Sequence, residues 1–197
     1  MPKIYLSPST QETNLCKMGD TEEQHCNIIA DLMEPLLKHN GIDFDRNTPA
    51  MTHVTSKNES NKDKYDLHYA LHSNAYNEKI EGSVIFYASE AGKYFAKVLV
   101  ETYREIYPGN IEIRKPDKKY TELYQTFAPA IIDEIAFHDN VNDAKWIHDN
   151  LEAIAKNKVK ALCKCFEIPY KEPKINVFDM FLDELETLIN KYKELIK

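Results

Sequence analysis

The sequence predicts an α/β protein with a mostly parallel central sheet, and two observations support this class. Short apolar stretches of strand length alternate with amphipathic helical stretches from residue 1 to residue 168. The stretch 130–137 is apolar almost throughout, which is typical of a central strand covered on both faces. Only five glycines are present and no Gly-x-Gly-x-x-Gly occurs, so the usual nucleotide-binding loop is not expected. We therefore expect a single domain with a twisted, mostly parallel sheet flanked by helices on both faces, plus a C-terminal helix.

The alternating pattern divides into individual elements. The first helix begins with a capping pattern, in which Asp20 or Thr21 is followed three residues later by Glu23 or Gln24. The Asn-Gly pair at 40–41 ends this helix. Strands are predicted at 3–6, 42–46, 66–75, 82–88, 111–114 and 130–137, and helices at 21–39, 51–62, 94–106 and 142–166.

The C-terminal part of the sequence differs in character from the rest. We expect a domain over 1–168, a linker over 169–174 and an amphipathic helix over 175–197. The apolar residues of this last helix alternate at spacings of three and four, which is a heptad pattern: Phe178, Phe181, Leu185, Leu188, Tyr192 and Leu195. Two interpretations stay open, a helix docked on the domain and a homodimer through the C-terminal helix.

Charge and hydropathy exclude some classes of partner. The net charge of −7 argues against a nucleic-acid ligand, because phosphate binding needs clustered Lys and Arg, and it also argues against binding to an anionic membrane. No apolar run approaches the roughly 18 residues of a membrane-spanning helix. The first residues already form a strand, so we expect synthesis in the cytoplasm without a signal peptide. The four cysteines lack metal-knuckle spacing and are expected to be unpaired thiols: Cys16, Cys26, Cys163 and Cys165.

His72 is the first candidate for chemistry. It ends the apolar stretch that starts at Asp66, and strand ends are where α/β folds usually place their functional groups. A neutral imidazole there is a good zinc ligand, although a histidine satisfied by a hydrogen bond is the simpler alternative. His68 shares the face of His72 but lies roughly 13 Å away along an extended strand, so it is expected to be a buried neighbour and not a co-ligand.

Glu134 is the second candidate, because a carboxylate inside an apolar strand is costly unless it is paired or protonated. Burial would raise its pKa toward the range useful for acid–base catalysis. Asp133 is expected on the opposite face. Asn74, just after His72, and His138, just after the strand of Glu134, are expected on the substrate side.

Glu23 is the third candidate, and it lies in the first turn of the first helix. It could reach over the sheet edge as a metal ligand, or act only as the acidic member of a capping box. His25 is two residues further along, so the helix turns it away toward the apolar side. We therefore expect His25 to pack in the core.

Four segments, in this order, resemble a known family. They are Lys3-Ile-Tyr-Leu-Ser-Pro-Ser-Thr-Gln, Thr21-Glu-Glu-Gln-His-Cys-Asn-Ile-Ile-Ala, Asp66-Leu-His-Tyr-Ala-Leu-His-Ser-Asn-Ala and Ala130-Ile-Ile-Asp-Glu-Ile-Ala-Phe-His-Asp-Asn. Together they are similar to the zinc-dependent N-acetylmuramoyl-L-alanine amidases of type 3, peptidoglycan hydrolases of bacteria and phages. The resemblance is to the clostridial or phage-endolysin branch. It covers residues 1–168 and rests on the order of the four motifs.

The resemblance implies a site and a reaction. Glu23 and His72 would be ligands of one catalytic Zn²⁺, and Glu134 would be the catalytic glutamate. The metal would activate water to cleave the amide bond between N-acetylmuramic acid and the L-alanine of the stem peptide. The substrate would then be peptidoglycan, reached after holin-type or lytic release from the cytoplasm.

One departure from the family pattern leaves alternatives open. The family usually has a histidine ligand at the position of Thr10, and the loop after the first strand contains no histidine. Gln11 or Glu12 could replace it through oxygen, and Gln11 is adjacent to the lost position. Oxygen donors are commoner on hard ions, so the departure also motivates a catalytically impaired protein that binds cell wall or a regulatory partner. A zinc peptidase acting on another bond is a third interpretation.

Overall fold

The computed structural model describes residues 1–173 and residue 193. Six strands and six helices alternate along this part of the chain. The strands are β1 (Lys3–Pro8), β2 (Asp43–Arg46), β3 (Leu67–Asn74), β4 (Ser83–Tyr87), β5 (Ile111–Arg114) and β6 (Ala130–Phe137). The helices are α1 (Glu22–His39), α2 (His53–Ser60), α3 (Glu90–Tyr103), α4 (Thr121–Tyr124), α5 (Val141–Asp149) and α6 (Leu151–Cys165). All predicted strands are present, and α4 is the one described helix that the sequence pattern did not predict.

The strands form one sheet in the order β2-β1-β3-β6-β4-β5. Strands β2, β1, β3 and β6 are parallel to one another, and β4 pairs with β6 in the antiparallel direction. Because β5 is parallel to β4, it also opposes the other four strands. The prediction of a mostly parallel α/β sheet with a central β6 is therefore confirmed, with the refinement that the β4–β5 edge is reversed.

Helices cover both faces of the sheet, as expected. Helices α1, α3 and α6 pack on one face, where the larger apolar core includes Tyr69, Leu71, Ile131 and Ile135. Helices α2 and α4 contact each other on the opposite face, over a smaller cluster that includes Ala70 and Ile132. Successive residues of β3 and β6 thus point alternately into the two layers.

Helix α1 carries its own start and stop signals. Thr21 is the N-cap and forms a capping box with Gln24. The cap is therefore Thr21 and not Asp20, and its partner is Gln24 and not Glu23. Gly41, with φ of 73°, follows the C-cap Asn40. These signals place the start of α1 at the end of the loop that follows β1. The N-terminus of α1 therefore lies at the sheet edge where β3 ends.

The remaining expectations concern the cysteines, the membrane and the C-terminus. All four cysteines are free and buried, as predicted. Within the described residues, no helix is both long enough and apolar enough to cross a bilayer.

Residues 169–173 form no helix or strand, and the backbone N–H of Lys171 donates a hydrogen bond to Asn40 Oδ1 at 2.7 Å. The predicted helix over 175–197, with its homodimer interpretation, lies outside the described residues except for Lys193, which is helical.

Candidate active site

His72 and Glu134 are neighbours across two parallel strands. They are register partners on β3 and β6, so their side chains leave the same face of the sheet. The register shifts immediately after His72, between His72 and Asn74, which ends the regular pairing at this point. The two residues that the sequence singled out from separate motifs therefore lie side by side at the carboxyl end of the parallel strands.

The imidazole of His72 lies between two carboxylates. Its Nδ1 is 2.8 Å from Oε1 of Glu22, and its Nε2 is 3.5 Å from Oε2 of Glu122. Burial lowers the pKa of His72, but the two carboxylates outweigh burial and hold this pKa well above its ordinary value. The two carboxylates thus favour the charged form of His72, with a hydrogen bond to Glu22 and a longer ion-pair contact to Glu122.

Glu22 contacts His72, whereas Glu23, the glutamate that the sequence suggested as a ligand, is its neighbour on the helix. Glu22 is 1% exposed, whereas Glu23 is half-buried and follows it by about 100° around the helix. Glu22 is the first residue of α1, where the helix dipole favours a negative charge. Burial raises the pKa of Glu22, but the hydrogen bond and charge of His72 prevail and lower it.

Glu122 is a member of the site that the sequence analysis missed. It lies in the four-residue helix α4, and its Oε1 accepts a hydrogen bond from Ser7 Oγ at 2.6 Å and lies 3.1 Å from His68 Nε2. Burial raises the pKa of Glu122, and the bonds from His68 and His72 lower it further than burial raises it. Such a short helix has no periodic pattern, so the only sequence signal was an acidic residue within Tyr-Thr-Glu-Leu-Tyr.

His68 has the supporting role that its spacing predicted. It is fully buried, its Nδ1 lies 2.9 Å from Ser60 Oγ, and its other ring nitrogen faces Glu122. His68 and His72 thus share one carboxylate from the same face of β3, four residues apart. One carboxylate oxygen of Glu122 contacts His68, and the other faces His72 nearer the end of β3.

Glu134 has a carboxylate oxygen without a partner. Its Oε2 is buried and makes no hydrogen bond, and burial raises the pKa of Glu134 to about 8 although the charge of His72 opposes this. Glu134 and His72 line a cavity of about 560 Å³ together with Glu122. A protonatable carboxylate that opens onto a cavity is what acid–base catalysis requires.

The loop after β1 brings Gln11 to the same place. Thr10 and Gln11 line the cavity, and Gln11 Nε2 lies 3.4 Å from Oε1 of Glu22. Its Oε1 accepts a hydrogen bond from Asn14 Nδ2, which also donates to Glu22 at 2.7 Å. The structure therefore groups Gln11 with Glu22 on the Nδ1 side of His72.

His138 and Asn74 do not line this cavity. His138 is 2% exposed, and its Nδ1 lies 2.8 Å from Ser73 Oγ. Since Ser73 points away from the face of His72, His138 lies on the opposite face of β3 from His72 and not beside it as expected for the substrate side. Asn74 lines a different cavity of about 350 Å³ with Phe86, and its Oδ1 caps the backbone N–H of Ala75.

His25 is fully buried, as predicted, but in a polar environment. Its two ring nitrogens lie 2.9 Å from Asp20 Oδ2 and 2.6 Å from Ser73 Oγ. It is on the α1 side of the sheet and does not join His72, so the expectation that it is not a co-ligand agrees with its position.

The fold and the site define an α/β protein in which carboxylates and a histidine meet near the carboxyl ends of parallel strands. The sequence matches the family of N-acetylmuramoyl-L-alanine amidases over residues 9–164. The protein therefore belongs to this family of zinc-dependent peptidoglycan hydrolases. No curated protein matches the sequence.

Solved structures of such amidases share the fold. An N-acetylmuramoyl-L-alanine amidase of Nostoc punctiforme is 12% identical with a TM-score of 0.74, over 84% of this chain and 97% of that one. The catalytic domain of an amidase from Bacillus (Paenibacillus) polymyxa is 14% identical with a TM-score of 0.75, over 86% and 100%. The catalytic domain of an endolysin targeting Clostridia difficile is 20% identical with a TM-score of 0.70, over 83% and 98%.

Proposed function

We propose that this protein hydrolyses the amide bond between N-acetylmuramic acid and L-alanine in peptidoglycan, with Glu134 as the catalytic acid–base group. The observation that carries the proposal is the buried, unpartnered Oε2 of Glu134, a residue that lines the cavity together with its register partner His72. An uncompensated buried carboxylate oxygen is costly in a purely structural position. Membership of the amidase family supports the same reaction.

The donors around His72 fit a zinc ion. His72 Nδ1 and Glu22 Oε1 are 2.8 Å apart and come from different elements, and imidazole and carboxylate are both common zinc ligands. Gln11 is beside Glu22, and a half-turn of its amide would direct Oε1 to the same point. We assign His72, Glu22 and Gln11 as the ligands, with Gln11 in the role of the missing loop histidine. Zinc bound there would supply Lewis acidity to the scissile carbonyl.

Glu122 positions His72 without touching the substrate in this proposal. When Nδ1 of His72 faces the metal, Nε2 keeps its proton and donates to Glu122. A carboxylate behind a ligating histidine fixes the ring orientation and raises its basicity. Ser7 and His68 in turn hold Glu122, so the support continues into the buried layer under α4.

Glu134 moves the protons of the reaction. In its ionised form Oε2 accepts a proton from the attacking water, and in its protonated form it donates that proton to the alanine nitrogen as the C–N bond breaks. A pKa raised by burial suits both steps, because the carboxyl then exchanges protons near neutral pH. The cavity beside it has room for a peptide segment.

We also propose an endolysin-type role for this protein. The four ordered motifs and the fold shared with an endolysin catalytic domain support an endolysin-type role for the protein. In that role it would act on the cell wall after lytic release. A protein that binds the wall without cleaving it remains the alternative, since the loop histidine of the family is absent.

Hydrolysis of purified peptidoglycan by metal-loaded wild type, Glu134→Gln and His72→Ala tests the proposal. We expect wild type to release stem peptides with a free L-alanine amino group, identified by mass spectrometry. Loss of Glu134 should reduce the rate by about 100-fold or more, while metal content stays near that of wild type. His72→Ala should lose hydrolysis and the metal ion bound at this site. Glu152→Gln, at an exposed helical position, is the matched control.

Two results would contradict this assignment. Full lysis by Glu134→Gln would exclude its catalytic role, and wild-type metal content in His72→Ala would exclude the ligand assignment. Wall binding by a wild type that releases no peptide would favour the binding protein. Cleavage at another amide bond would favour the peptidase.

A further inference from the structure

Four side chains with metal-binding atoms meet on the opposite side of β3 from His72. They are Cys16, Asp20, His25 and His148, and their ligand atoms all lie within 4.8 Å of one another. They form the only such group of three or more among the described residues. None of them belongs to the site proposed above.

The four donors come from three separate parts of the chain. Cys16 and Asp20 stand at the two ends of a tight turn, closed by the bond from Cys16 N–H to Asp20 O at 2.8 Å. The turn contains Gly19 at φ of 98°, a conformation that side chains disfavour. His25 follows on α1, and His148 is contributed by α5, 128 residues from Asp20. Convergence from distant segments is characteristic of a built site.

We propose that Cys16, Asp20, His25 and His148 bind a second metal ion of the Zn²⁺ type, which stabilises the fold beside the catalytic centre. One thiolate, two imidazoles and one carboxylate are the ligand types of zinc, whereas Mg²⁺ and Ca²⁺ require oxygen donors. Four protein ligands also match a closed structural site.

The spacing of the donors is compatible with tetrahedral coordination. Asp20 Oδ2 lies 2.9 Å from His25 Nδ1, and Asp20 Oδ1 lies 2.9 Å from His148 Nε2. Zinc bonds of about 2.0–2.3 Å place tetrahedral ligand atoms roughly 3.3–3.8 Å apart. All pairs of ligand atoms lie within 4.8 Å, so tetrahedral coordination needs adjustments of up to about 1.5 Å.

The surroundings of His25 match those of a metal-ligating histidine. Its Nδ1 faces the cluster, and its Nε2 lies 2.6 Å from Ser73 Oγ. A partner on the far nitrogen orients the ring and fixes which nitrogen carries the proton. Ser73 also contacts His138, so two of the buried histidines that the amidase site leaves unused become part of this arrangement.

A bound metal ion would take the place of the protons through which His25 and His148 contact Asp20. In the metal-free protein the Asp20 carboxylate lies 2.9 Å from a ring nitrogen of each histidine, and these contacts outweigh burial and lower the pKa of Asp20. Burial raises the pKa of Cys16 to about 11, so Zn²⁺ must displace a proton from the thiol when it binds. The side chains of Asp20 and His148 are 18% and 32% exposed, which gives the ion a route inward.

The location suggests what the ion does. It would join the loop after β1, the start of α1 and the end of α5, and through His25 it would be connected to Ser73, the residue next to His72. The same loop and helix start carry Gln11 and Glu22. A structural ion at this point would hold the elements that supply the amidase ligands.

Cobalt substitution tests the site directly, because only a thiolate ligand gives a near-ultraviolet charge-transfer band with Co²⁺. We expect the metal-stripped full-length protein to develop this band on titration with Co²⁺, and Cys16→Ser to lose it. Cys165→Ser is the matched control and should keep the band. His148→Ala, at a half-exposed position, should weaken binding at this site by at least about tenfold and lower zinc content from two ions per chain to one.

The test separates this proposal from the amidase site, which contains no thiol. His72→Ala should keep the charge-transfer band while losing hydrolysis. A wild type without the band, a band that survives Cys16→Ser, or unchanged zinc content in His148→Ala would each overturn the second site. None of these results would alter the case for Glu134 and His72.

Discussion

The Nδ1 of His72 lies 2.8 Å from Oε1 of Glu22, although the two residues are 50 positions apart in the sequence. The contact joins the end of β3 to the first turn of α1. The other residues of the proposed metal site are arranged around this contact. Gln11 lies beside Glu22, near Nδ1 of the imidazole, and Glu122 faces Nε2 on the opposite side of the ring.

Glu22→Gln should weaken zinc binding and hydrolysis together. Removal of a partner outside the ligand set typically costs about 10–100-fold in metal affinity, so loss of a ligand should cost at least about tenfold. Glu23→Gln is the matched control and should leave both properties near wild type. Chelator competition gives the affinities. A larger loss for Glu23→Gln than for Glu22→Gln would restore the assignment that the sequence suggested.

Glu122→Gln should act through His72. We expect zinc affinity to fall by about 10–100-fold, and the pKa of His72 in the metal-free protein to fall because one of its two carboxylate partners is lost. NMR titration of the imidazole measures the second effect, which a merely structural role would not produce. Glu152→Gln serves as the exposed control. An unchanged pKa of His72 would exclude the positioning role.

Glu134 should make the metal-free protein less stable as pH rises. Burial raises its pKa from 4.5 to about 8, so between these values the folded state holds a proton that the unfolded state has lost. Stability contributed by this protonated carboxyl is fully present below pH 4.5 and is lost as pH rises through 8. Wild type should therefore lose stability relative to Glu134→Gln across this interval. Urea unfolding with EDTA measures the difference, and a constant difference would contradict the raised pKa.

Asp133→Asn should destabilise the fold through Lys158. The two side chains are fully buried and form an ion pair at 2.8 Å, with the ammonium 3.4 Å from the centre of the Tyr103 ring. Loss of one charge leaves the other uncompensated in the core, at a cost of about 3–5 kcal/mol.

Two further variants are controls for this pair. Asp149→Asn breaks the exposed pair with Lys145, which should cost less than about 1 kcal/mol. The double variant Asp133→Asn/Lys158→Met should recover part of the lost stability. Chemical denaturation gives the three values. An Asp133→Asn variant as stable as Asp149→Asn would contradict the ion pair.

Local signals in the sequence predicted the elements well. The apolar run of β6, the capping box at Thr21 and the Asn-Gly end of α1 each depend on neighbouring residues only, so they can be recognised without the fold. The direction of β4 could not be predicted, because parallel and antiparallel partners require the same apolar residues.

The candidate site was predicted in part. His72 and Glu134 were found because each is unusual for its own strand. Glu122 was missed because α4 is too short to show a pattern, and its importance depends on contacts with His68 and His72 that are remote in sequence.

The sequence by itself determined the α/β class, the order of the elements and the two unusual polar residues of β3 and β6, His72 and Glu134, since these depend on periodicity and on local exceptions to it. Only the tertiary structure decided which of two adjacent glutamates meets His72. Adjacent residues on a helix point in directions that differ by about 100°. Only the packing of α1 on the sheet fixes which of the two side chains faces the site. The same packing places His25 against Ser73, on the face of the sheet opposite His72. There Asp20 contacts both His25 and His148.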